Sequence, residues 1–226
     1  AIVIQQPSNP FELGRGIAMS SPSSLEGGGK TNINERFAGG TNEAFDRGTI
    51  VHRWLEDIEW LEELPTIQTL IETAPRGEAA RFSEEGLLRI AQSVIHALQT
   101  NEIQQLLTKP EGELKVYCEQ DFALRVDAGT QLGKLTLKEP TDIRGSIDRL
   151  VVYHDDSDDS IRAHVIDWKT DSYSPEERSE KIEHYAPQLA SYRLAAATLL
   201  GIDLSNVSAF LVFISTGEVH DITDET

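Results

Sequence analysis

Ile143-Arg144-Gly145-Ser146-Ile147-Asp148-Arg149-Leu150-Val151-Val152-Tyr153 and Ile161-Arg162-Ala163-His164-Val165-Ile166-Asp167-Trp168-Lys169 decide the fold. Both runs are rich in β-branched and aromatic residues, and a polar turn separates them, so they read as an antiparallel hairpin. The turn, His154-Asp155-Asp156-Ser157-Asp158-Asp159-Ser160, lacks the glycine and spacing of a calcium loop. A hairpin symmetric about it pairs residues whose numbers sum to about 315, which sets Asp148 opposite Asp167. Like charges so placed destabilise a sheet, and something must compensate. By alternation, Ser146, Asp148, Leu150 and Val152 share a face with Ala163, Val165, Asp167 and Lys169. That face is apolar at one end and carries two acids and a lysine at the other. Such a set suits a divalent cation with oxygen ligands, the lysine lying beside a bound water; the bland alternative is a surface ion cluster at a strand end. Glu113-Leu114-Lys115 has the same Glu-x-Lys spacing but no opposing acid.

Outward from the hairpin, Leu114–Val126 reads as a preceding strand, completing a meander. Glu176–Leu200 reads as a helix with Ile182, Tyr185, Leu189, Ala196 and Leu199 on its apolar side and Gly201 as its stop. Val207–Ile214 is nearly all apolar, the pattern of a strand buried on both faces. Upstream, Val51, Trp54, Leu55, Ile58 and Leu61 form one stripe of a helix from Asp46 that Pro65 ends. Ser83 caps a second helix reaching Leu98, and a short helix follows near Glu102–Leu107. Residues 1–45, rich in Gly, Ser, Pro and Asn, read as a linker or surface arm before one domain spanning 46–226. The expected class is α/β (α+β): a mixed sheet of about four to five strands flanked by helices, with extra N-terminal helices.

Composition narrows the function. The 226 residues hold 20 basic and 38 acidic side chains, a net charge of −18, which should repel a nucleic-acid backbone. A single cysteine, Cys118, excludes a disulfide framework and an iron–sulfur cluster held by this chain alone. No apolar run is long enough to span a bilayer, and Ala1-Ile2-Val3-Ile4 lacks the basic region that opens a signal peptide, so the expected setting is cytoplasmic and without a membrane partner. Gly28-Gly29-Lys30-Thr31 imitates the end of a phosphate-binding loop, but Ser24 stands where its first glycine belongs, so no ATP site is expected. Serine-hydrolase and zinc-protease motifs are absent. The start at Ala1 and the stop at Thr226, just after a strand, suggest a piece of a larger polypeptide.

Gly145-Ser146-Ile147-Asp148-Arg149, Ile166-Asp167-Trp168-Lys169-Thr170 and Gln188-Leu189-Ala190-Ser191-Tyr192 together resemble the PD-(D/E)XK nucleases, with their restriction-endonuclease-like core. Gly48-Thr49-Ile50-Val51-His52-Arg53-Trp54-Leu55-Glu56 resembles, more narrowly, the histidine-bearing helix of the RecB and AddA nuclease domains. The resemblance runs from about Gly48 to Ile214 and implies a metal-dependent DNA exonuclease. It implies His52, Asp148, Asp167 and the Trp168 carbonyl as ligands of Mg²⁺ or Mn²⁺, with Lys169 acting on the attacking water and the phosphate. Gln188, Tyr192 and Tyr185, on one helix face, match the motif that lines the cleft. Glu119 and Glu56 are further candidates, through water and as a neighbour of His52. The family context implies an upstream helicase region in the same polypeptide, a second subunit, and a role in processing double-strand DNA ends for recombinational repair. The rival readings are an inactive module of this fold and a stand-alone nuclease.

Overall fold

The computed structural model describes residues 18–29, 42–109, 114–155 and 160–226. Lys30, Thr31, Glu113 and the turn residues 156–159 lie outside them, as does most of the segment 1–45. Its elements are β1 (Ala18–Ser20), α1 (Pro22–Leu25), α2 (Asn42–Glu56), α3 (Ile67–Thr73), α4 (Arg76–Ala79), α5 (Glu84–Leu98), α6 (Asn101–Leu107) and β2 (Leu114–Val126). A small hairpin of β3 (Gln131–Leu132) and β4 (Leu135–Thr136) precedes β5 (Thr141–Asp155), β6 (Ser160–Lys169), α7 (Arg178–Leu200), β7 (Val207–Phe213) and β8 (Glu218–Asp221). No helix among the described residues is long and apolar enough to cross a membrane.

One mixed six-stranded sheet organises the chain. The β5–β6 ladder runs from Arg149↔Ile166 to Asp155↔Ser160, so each facing pair has the sum the symmetric hairpin requires. On its other side β5 pairs with β2 along nearly its whole length. β7 runs parallel to β6 and antiparallel to β8. The expected four strands are all present, and β1 and β8 add to them.

β5 carries two different neighbours on one edge: β1 beside Thr141–Ile143 and β6 beside 149–155. Between them the sheet forks, and β6 leaves β5 to follow β7 through Asp167, Trp168 and Lys169. The fork is bridged by a side chain, because the Asp148 carboxylate accepts the Trp168 N–H at 2.9 Å. Asp148 thus supplies the acceptor that a backbone partner would have given.

Helix α7 packs on one sheet face against Leu150, Ala163, Val165, Leu211 and Phe213. Helices α2, α5 and α6 pack on the other, against Val151, Ile166, Trp168 and Val212. The alternation expected along β5 fails at one point. Ile143 and Ile147 lie on the α7 side with Leu150, so the facing changes across Asp148 and Ser146 does not share the Leu150 face. The cause sits opposite: Glu119 has φ of 49°, and the β2–β5 ladder skips it while Cys118↔Arg149 and Gln120↔Ile147 hold register. Both strands turn over together there, which a period-two reading cannot foresee.

Three other sequence expectations need correction. The first long helix ends at Glu56 and does not reach Leu64. Arg149, fully buried, donates to the carbonyls of Ile58 and Glu59 and lies 5.0 Å from the Trp60 ring, so these carbonyls serve the guanidinium and no longer a helix. Leu199, expected on the apolar side of α7, is 55% exposed, and Tyr192 and Ala195 are buried on that helix instead. Within the segment read as an arm, Ala18–Ser20 pair into the sheet and the turn after them packs on the core, with Leu25 buried. Gly145 permits this: a Cβ there would meet Pro22 Cδ at 2.6 Å.

The C-terminus is anchored by Arg193, whose guanidinium donates to the carbonyls of Val207, Leu204, Thr223 and Thr226 at 2.8 to 3.0 Å. Arg193→Ala strands four acceptors at once and should cost roughly 3 kcal/mol, lowering the melting temperature by about 6–12 °C. Thermal denaturation checks this, and a change below about 2 °C would contradict the anchoring role.

Candidate metal centre

Helix α2 is fixed in rotation by Ile50, Val51, Trp54 and Leu55, all buried. That orientation directs His52 toward the fork from the α2 layer. Its Nε2 lies 3.0 Å from the Trp168 carbonyl, and its Nδ1 lies 3.6 Å from Asp148 Oδ2 and 3.9 Å from Glu119 Oε1. The strained backbone of Glu119 is what turns its carboxylate into this group.

Lys169 enters from the other layer. Its ammonium lies 2.8 Å from Asp167 Oδ2, donates to Gln188 Oε1 at 2.7 Å and sits 4.5 Å over the Tyr185 ring. Gln188 in turn donates from Nε2 to the Tyr192 hydroxyl at 3.0 Å. Tyr192 is buried edge-on to Phe122 at 5.9 Å, so it holds Gln188 and is packed as core. Tyr185 bonds the Asp171 carboxylate at 3.1 Å. The residues of α7 expected to line the cleft therefore form a chain that positions the lysine.

Glu56 stands apart. It pairs with Arg53 at 2.7 Å and lines a groove of about 660 Å³ that runs from Phe45 past Gly48 to His52 and Glu119. It is absent from the cluster of His52, Glu119 and Asp148.

Electrostatics marks the centre as unsettled without a cation. Burial disfavours a charge on His52, yet Glu119, Asp148 and Asp167 outweigh it and raise its pKa from 6.5 to about 9. Burial above all, with Asp148 beside it, raises Asp167 to about 7 against the opposing pull of Lys169 and His52. Asp148 is also raised, by burial first. Glu119, beside His52, is lowered. At neutral pH a proton on His52 and the Lys169 ammonium therefore balance the acids.

The donor set fits a divalent cation. Ligand atoms of His52, Glu119 and Asp148 all lie within 4.8 Å of one another, close enough to hold one ion. Asp167 Oδ2 is buried and makes no well-aligned hydrogen bond, only its ion contact with Lys169. One imidazole and several carboxylate oxygens suit Mg²⁺ or Mn²⁺. His52 must give up its proton to ligate, so binding releases protons.

Two residues escaped sequence reasoning. Glu26 Oε1 lies 3.9 Å from Lys169 Nζ, and its Oε2 lies 3.5 Å from His184 Nε2. The available signal was Ser21-Pro22-Ser23-Ser24: the structure has Ser21 as N-cap, Pro22 in the first turn and a reciprocal Ser21/Ser24 capping box. It marks a helix start and so an ordered element inside the apparent arm.

Compared with protein-family models, residues 30–225 match the PD-(D/E)XK nuclease superfamily. No curated protein matches the chain.

Proposed function

Since the chain belongs to the PD-(D/E)XK nuclease superfamily, we propose that its metal centre hydrolyses DNA phosphodiester bonds with Mg²⁺ or Mn²⁺. The observation that carries this is the gathering of His52 from α2 with Asp148, Asp167 and Lys169 at the fork of β5 and β6, where Gln188 of α7 holds the lysine. In this reading His52, Asp148, Asp167 and the Trp168 carbonyl hold the ion, and Glu119 ligates it directly or through water. An ion held there would supply Lewis acidity toward a water and a phosphoryl oxygen. Lys169 orients that water and offsets charge on the phosphate, held by Gln188, itself held by Tyr192. Water oxygen attacks phosphorus and releases a proton to solvent, the P–O ester bond breaks, and the departing oxygen takes a proton from solvent. Tyr185 supports the ammonium from below its ring.

The α2 segment Gly48–Glu56 supports a finer placement, among nuclease domains of the RecB and AddA type. On that reading the domain is an exonuclease of a helicase–nuclease that processes double-strand ends for recombinational repair, with an upstream helicase region, a second subunit and a cytoplasmic setting. A motor that delivers the strand also answers the charge of −18, because tethered delivery replaces intrinsic affinity.

That charge yields a test. Screening lengths fall from about 30 Å at 10 mM salt to about 10 Å at 100 mM. Repulsion between this chain and DNA then weakens, so kcat/KM for linear DNA should rise severalfold over that range. A fall with salt would mean that a cationic surface recruits the substrate.

A further inference from the structure

Asp167 Oδ2 has the Lys169 ammonium 2.8 Å away. A divalent ion ligated by Asp167 would repel an ammonium this close to the same carboxylate, so loading the centre favours a move of the lysine head away from it. Its present partners limit where it can go. Gln188 is neutral, and the Tyr185 ring holds the head from one side. The next carboxylate is Glu26, 3.9 Å from Nζ and only partly buried. Asp171 is not free, since Lys181 and Tyr185 already occupy it.

Glu26 is also held in place. The Ser21–Ser24 capping turn and the buried Leu25 fix the segment, and Gly27 adopts φ of 61°. A Cβ at Gly27 would approach His184 Nδ1 to 3.1 Å, so the glycine lets the turn close against α7 with His184 at the far oxygen of Glu26. A carboxylate fixed this firmly, one ammonium diameter from Lys169, is not a solvated surface acid.

The geometry points to Glu26 as a positioning residue that receives the Lys169 ammonium when Asp167 turns to a divalent cation. The inference rests on the proposed metal centre. Glu26 would make the exchange favourable by offering the lysine a second anion, and would hold it on the substrate side of the ion.

A double-mutant cycle on Glu26→Gln and Lys169→Ala tests this, read first by Mn²⁺ titration calorimetry and then by cleavage of linear single-stranded DNA. Glu26→Gln alone should weaken Mn²⁺ binding about tenfold and lower kcat about tenfold with KM little changed. In the Lys169→Ala background both effects should shrink to under about twofold, because no lysine remains to be relocated. Equal losses in the two backgrounds would overturn the inference, since Glu26 would then act on the ion or the fold directly. So would no loss in either background. Melting of each variant in EDTA confirms that the folds are comparable. The calorimetric coupling does not depend on cleavage: coupling without DNA hydrolysis would uphold Glu26 and refute the nuclease reading, and absent coupling with active wild type would do the reverse.

Discussion

Asp167→Asn should abolish cation-dependent stabilisation and DNA hydrolysis together, while raising the stability of the metal-free protein. The substitution keeps the shape and removes a buried carboxylate that burial and Asp148 both disfavour in its charged form. In wild type, binding to the folded state alone adds RT ln(1 + [L]/Kd), about 2.7 kcal/mol at a hundredfold excess over Kd. The variant should show none of it, and hydrolysis should fall at least 10³-fold. Its melting temperature in EDTA at pH 8 should exceed that of wild type by about 2–4 °C, the equivalent of about 1 kcal/mol in a chain this long.

The pH dependence fixes the sign. Asp167, at about 7 in the folded protein, and His52, at about 9, are both raised above their ordinary values. Groups with raised folded values stabilise at low pH and lose that contribution as pH rises through the folded value. Metal-free wild type should therefore lose stability from about pH 4 to about 9, through Asp167 up to about 7 and through His52 from 6.5 to about 9, and the gain from Mn²⁺ should grow across the same window. In Asp167→Asn the Asp167 part of that loss, which lies below about pH 7, disappears. A wild-type melting curve indifferent to EDTA or millimolar Mn²⁺ would contradict the metal centre.

Lys169→Ala should separate chemistry from metal binding. The lysine lies on Asp167 and competes with a cation, so the variant should bind Mn²⁺ at least as tightly as wild type. Hydrolysis should nevertheless fall about 10²-fold or more, the scale of one acid–base or electrostatic contribution. The loss should appear in kcat, because Lys169 is enclosed by Asp167, Gln188 and Tyr185 and does not form a binding surface for the length of a strand. Equal rates for the two proteins would remove Lys169 from the mechanism.

The hairpin was legible because its information is local. Alternation in two apolar runs and one polar turn specify the register, which holds from Asp155↔Ser160 to Arg149↔Ile166 and stops one pair short of the expected Asp148 opposite Asp167, where the sheet forks. His52 was legible only through its resemblance to a known helix, since a single histidine on an amphipathic stripe has no periodic signature. Three features lay beyond period and propensity. The turnover at Glu119 depends on a positive φ that no residue type announces in a non-glycine. The end of α2 is set by Arg149, about ninety positions downstream, taking two carbonyls. Glu26 reaches the centre because Pro22 seats on Gly145, a contact between distant segments. In each case tertiary contact overrides the local pattern, and each lies beside the centre, where local rules most often yield to function.

The most direct test of the central claim is cleavage of linear single- and double-stranded DNA by the wild-type chain in millimolar Mn²⁺, with EDTA and Asp167→Asn as controls. The account predicts strand hydrolysis in Mn²⁺ and none in either control. An absence of cleavage on both substrates, with Mn²⁺ shown by calorimetry to be bound, would contradict it and leave a metal-binding module of the nuclease fold without nuclease chemistry.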